Sequence, residues 1–141
     1  MTTRRMMCAV MLGLIVAVVS GRTAEPAKEK AAVSAAEQWL SLVDEGKYGE
    51  SWKEAAGYFR NAVKQEQWEQ AAQAVRKPLG KLVSRKVKST AYQTTLPGAP
   101  DGEYVVIEFA TAFENKKTAT ETVTPMMDKD GKWRVSGYYI K

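Results

Sequence analysis

Residues Glu103–Met127 read EYVVIEFATAFENKKTATETVTPMM, and this stretch decides the fold. Val105, Ile107, Phe109, Thr111 and Phe113 recur at every second position, the period that turns one side of a strand toward a core. ENKK supplies a turn, and Lys117–Met127 returns as a second strand with a ladder of threonines at 118, 120, 122 and 124. Upstream, Leu82–Thr95 is rich in Val, Thr and Tyr and reads as a strand, joined to Glu103 by the Pro- and Gly-containing loop LPGAPDG. Downstream, DKDG predicts a hairpin turn into GKWRVSGYYIK, Gly131–Lys141. Simple alternation in this last strand places Trp133, Val135 and Tyr139 toward the core and Arg134 and Tyr138 outward.

Before Gly80 the period is helical. Ala32, Ala36, Trp39, Leu40 and Val43 form one stripe, and Gly46 suits the residue after a helix end. Tyr48, Trp52, Ala55 and Ala56 mark a second, short helix interrupted at Gly57, after which Phe59 and Val63 tuck a connection against the core. A third helix carries Trp68, Ala71, Ala72 and Val75 inward and ends at RKPLG, Arg76–Gly80, because proline cannot continue a helix. Three helices followed by four strands predict an α+β domain, the helices lying on one face of an antiparallel sheet that curls into an open cone.

The first residues read as a secretory signal peptide over 1–21. Arg4 and Arg5 precede the uncharged run Met6–Val19, which is short for a helix needing about 20 residues to cross a bilayer. Residues 22–30 read as a flexible leader and 31–141 as a single domain. Export to the periplasm or cell envelope is expected, with an uncleaved inner-membrane anchor as the alternative. Losing Arg4 and Arg5 lowers the net charge from +5 to +3, too little to argue for nucleic acid. Cys8 is the one cysteine and lies in the signal, and the 141 residues include no histidine. A cysteine nucleophile, a Ser-His-Asp triad and a Cys/His zinc site are therefore closed to the mature chain, and no metal, cofactor or catalytic residue is expected.

AAEQWLSLVDEGKYGESW, RKPLGKLVSRKV, LPGAPDGEYVVIEFATAFENKKTATETV and DGKWRVSGYYIK together resemble an uncharacterised bacterial family, domain of unknown function 4019, from about residue 32 onward. The resemblance implies an exported bacterial protein with a fold similar to cystatin-like and nuclear transport factor 2-like domains. It implies no activity.

The candidate residues divide into two sets. Trp39, Tyr58, Phe109 and Tyr139 could line a pocket between helices and sheet, although burying a Trp of ~200 Å2 is worth roughly 5 kcal/mol by itself and suits a small core without disulfides. Arg76, Lys81 and Arg85, around PLG, could form a basic surface contact with anionic lipid, polysaccharide or an acidic partner. Asp44, Asp101, Asp128 and Asp130 lie at helix ends or in turns, where solvation keeps carboxylates ordinary. The expectation is a non-enzymatic domain binding a small apolar ligand or an envelope protein. The alternatives are a lyase or isomerase using carboxylate and tyrosine, and a cystatin-like inhibitor or accessory domain acting through its loops. A homodimer through the outer sheet face is left open.

Overall fold

The computed structural model describes residues 24–141. The signal peptide expected over 1–21, and the first two residues of the leader, lie outside them. Four helices precede four strands: α1 (Pro26–Asp44), α2 (Tyr48–Glu54), α3 (Gly57–Ala62), α4 (Gln65–Leu79), β1 (Leu82–Gln93), β2 (Tyr104–Phe113), β3 (Lys116–Met127) and β4 (Trp133–Ile140). The strands form one antiparallel sheet in the order β1-β2-β3-β4. The α+β class follows as the hydrophobic periods predict. Among the described residues no helix is long and apolar enough to cross a membrane.

Helix α1 starts with Pro26 in its first turn, where a missing N–H costs no intrahelical bond, so Pro26–Lys30 of the expected leader are helical. Ala32, Ala36, Trp39, Leu40 and Val43 are buried, and α1 touches all four strands. Gly46, at φ 75°, turns the chain out of the helix while Lys47 N–H donates to Leu42 O at 2.8 Å. Against it pack Val105, Ile107 and Phe109 of β2, Val123 of β3 and Val135 of β4.

Four differences from the expected pattern shape the interior. The connection around Phe59 is itself a short helix, because Ala55 and Ala56 are extended rather than helical and Gly57 opens a new turn. On α4 the buried stripe is Trp68, Ala72 and Arg76, at a spacing of four, so Val75 lies outside at 49% exposure. Helix α4 also runs through Pro78 to Leu79. Its last carbonyls are met from the β2–β3 turn, where Asn115 Nδ2 donates to Pro78 O and Asn115 N–H to Leu79 O.

The fourth difference is in β4. Thr124 pairs with Gly137 but Pro125 pairs with Val135, so Ser136 is an extra residue. Such a bulge inverts the alternation beyond it. Val135 and Tyr138 therefore both face the helices, and Tyr139 faces out at 52% exposure. The expected orientation of Tyr138 and Tyr139 is reversed.

Candidate functional site

The inner face of the sheet carries charge as well as apolar side chains. Glu121, on β3 opposite Phe109, is fully buried. Its Oε1 accepts from Arg85 Nε at 2.7 Å and from Thr111 Oγ1 at 2.7 Å. Its Oε2 accepts from Arg85 Nη2 at 3.2 Å and from the Tyr138 hydroxyl. The other side of the Arg85 fork reaches Asp44, the last residue of α1, with Nη1 to Oδ2 at 2.7 Å and Nη2 to Oδ1 at 2.9 Å. Arg76 of α4 closes the chain by donating from Nη2 to Asp44 Oδ1 at 2.8 Å, and its guanidinium lies 4.8 Å from the centroid of the Phe113 ring. Two guanidinium groups thus meet two carboxylates, and the cluster is neutral as a unit.

Taking four charges out of water is costly, and attraction repays it only when the geometry is bidentate and the remaining lone pairs are occupied. Both conditions hold at Glu121. At Asp44 burial pushes the carboxyl pKa up, but hydrogen bonds and charges from Arg85 and Arg76 outweigh it and hold the group below its ordinary value. Burial, reinforced by the Glu121 charge, pushes the Tyr138 hydroxyl far above the usual phenol range. Arg76 Nε and Nη1 are buried without a hydrogen-bond partner among the described residues.

Beside this cluster lie stacked aromatics. Trp39 meets Tyr138 edge-on at 5.3 Å between centroids, Trp68 lies 5.6 Å from Trp39, and Phe59 meets Trp68 edge-on at 5.2 Å. One buried serine holds both indoles: Trp39 Nε1 donates to Ser51 O at 2.8 Å and Trp68 Nε1 to Ser51 Oγ at 2.9 Å. Neither indole N–H is left unpaired, which lets tryptophan fill a small core.

On the far side of Trp39 the molecule opens. A cleft of about 580 Å3 runs between α1, α2 and β4, bordered by Leu42 and Trp133 and the barely exposed Trp39 and Val135, with Gln38, Glu50, Lys53, Glu54, Lys132 and Arg134 supplying its polar part. Arg134 is engaged by Asp130 at 2.7 Å and lies 3.6 Å from Asp128. Backbone N–H groups of Gly57 and Lys129 hold the Asp128 carboxyl below its ordinary pKa. Neither Lys53 nor Lys132 has an ion-pair partner among the described residues.

Of the four pocket candidates, Trp39 alone borders the cleft. Phe109 is sealed in the core, Tyr58 on α3 donates to Gly98 O at 3.1 Å, and Tyr139 lies on the outer face. Of the three basic candidates, Lys81 is exposed, but Arg76 and Arg85 are corrected from surface contacts to members of the cluster, Arg76 buried and Arg85 largely so. Glu121, Tyr138 and Ser51 were not among the candidates. A lone glutamate among Ala119, Val123 and Pro125, on the face opposite the threonine ladder, is the sequence signal that points to the first.

A family model described as "Protein of unknown function (DUF4019)" matches residues 35–138. No curated protein and no solved structure matches the chain.

Proposed function

The chain belongs to the DUF4019 family, whose description assigns no activity, and on that premise we propose an exported, non-enzymatic binding domain whose α1/α2/β4 cleft takes a small ligand with an apolar body and an anionic end. The observation that carries this reading is the make-up of the cleft: Leu42 and Trp133 with the barely exposed Trp39 and Val135, beside a rim where Lys53, Lys132 and Arg134 outnumber Glu50 and Glu54. Export rests on Arg4, Arg5 and the apolar run Met6–Val19, with the periplasm or envelope as destination. The reading takes the sheet to curl around α1 in the manner of cystatin-like and nuclear transport factor 2-like domains.

A carboxylate–tyrosine pair of the kind a small lyase or isomerase would need does occur, as Glu121 and Tyr138. All four hydrogen bonds to Glu121 come from within the protein, and neither residue borders the cleft, which supports a structural role for the pair. Native against denaturing mass spectrometry of the protein purified from its own envelope tests the reading. The expected result is a reproducible extra mass of a few hundred daltons or less, lost on denaturation and absent from Trp133→Ala. A bare chain in both spectra would sink it.

A further inference from the structure

An open sheet has two edges, and this one treats them differently. The β4 edge is met at Val135 by its own chain, where the extended α2–α3 linker donates from Ala56 N–H to Val135 O at 2.8 Å. Among the described residues the first half of the β1 edge has no such contact. Its second half is tied to α1 and β2, Thr90 Oγ1 donating to Glu29 Oε1 at 3.2 Å and Tyr92 to Glu103 at 2.9 Å. Between Leu82 and Lys88, in contrast, Val83 is 66% exposed and Val87 41% exposed, with Ser84, Lys86 and Lys88 exposed beside them.

We propose that Leu82–Lys88 is a docking edge on which an extended, acidic segment of a partner protein adds as a fifth strand. The strand is preformed there: Ser84–Val87 pair in regular register with Thr111, Ala110 and their neighbours on β2, between bulges at Val83 and Lys88. Its outer backbone groups form the template that strand addition uses. The partner's charge follows from Lys81, Lys86 and Lys88, none of which has an ion-pair partner among the described residues. Arg85 adds nothing outside, because Asp44 and Glu121 consume it. A second copy of this chain is a poor occupant, since antiparallel self-pairing would set these lysines against one another. Lysines and bulges on an edge also guard against aggregation. Protection accounts for the lysines but not for two exposed valines set among them.

The test uses the whole mature protein and fluorescently labelled octapeptides alternating Glu with Val or Thr, alongside Lys-for-Glu versions and vesicles of phosphatidylglycerol and phosphatidylcholine. The acidic peptides should bind, should bind about tenfold or more weakly to Lys86→Glu/Lys88→Glu, and should weaken as salt rises. Circular dichroism checks that this surface variant folds. The decisive readout is hydrogen exchange, with amides of 82–88 slowed by bound peptide. Three results would overturn the proposal: no binding by any acidic peptide, binding without protection of 82–88, or binding to the vesicles alone, which would make the basic edge a lipid contact.

Discussion

One indole separates two regions built on opposite rules. On one side of Trp39 the Asp44–Arg76–Arg85–Glu121 cluster matches every carboxylate to a guanidinium and lets Tyr138 and Thr111 fill the remaining acceptor positions. On the other side the cleft keeps Lys53 and Lys132 out of any ion pair among the described residues, beside Leu42 and Trp133. Paired charges fix how α1, α4 and the sheet meet. Surplus charges are free to meet something else. The difference teaches that in this molecule ionisable residues are read by their pairing, not by their depth.

The comparison breaks most violently at Glu121. Replacing it with Ala strands Arg85, Thr111 and Tyr138 in a closed interior, and losing one member of a buried pair costs about 3–5 kcal/mol. Urea unfolding should show that loss with ligand binding to the residual folded protein unchanged. A loss below about 1 kcal/mol would mean the cluster is wetter than its geometry.

Asp44 comes next, and here pH separates the regions. Its side chain is partly exposed, so Asp44→Asn should cost less, about 2–3 kcal/mol near neutrality. The folded carboxyl has a lower pKa than the unfolded one, so its contribution is present above the unfolded value and lost as pH falls through the folded value. The stability gap between wild type and Asp44→Asn should hold from about pH 5 to 8 and close below about pH 4. A gap constant down to pH 3 would show that the Asp44 charge is not what Arg85 and Arg76 hold.

Legibility in the sequence follows the same division. The inner face of β2 could be read directly, because Val105 to Phe113 alternate without interruption. The α1 stripe was equally plain. Tyr138 and Tyr139 were reversed because the bulge at Ser136 leaves no mark on hydropathy and yet flips every later side chain. Arg76 and Arg85 look like surface residues by type, and only the third dimension brings Asp44 and Glu121 to them, from 32 and 36 positions away in the chain. The cleft was illegible for a related reason: it is a meeting of three elements, and only Trp39 among its walls stood out by itself.

Ser51 tests the wall between the regions. Its hydroxyl is the acceptor for Trp68 Nε1 and donates to Tyr48 O at 2.7 Å, so Ser51→Ala leaves a buried indole N–H unpaired. A cost of about 1–2 kcal/mol is expected, with a shift in tryptophan emission as Trp68 relaxes. Unchanged stability would indicate that the indole finds another acceptor.

The smallest effect on stability should come from Lys132, and it sharpens the contrast most. Lys132 is exposed at the rim of the cleft and forms no ion pair among the described residues, so Lys132→Ala should alter folding by no more than about 0.5 kcal/mol. If the cleft recognises an anionic end, the same substitution should lower the occupancy of the adduct seen by native mass spectrometry, and Lys132→Arg should retain it. Equal occupancy in all three proteins would leave the apolar part of the cleft alone to account for binding. A surplus charge would then be only a surface charge, and the distinction drawn across Trp39 would concern stability and not recognition.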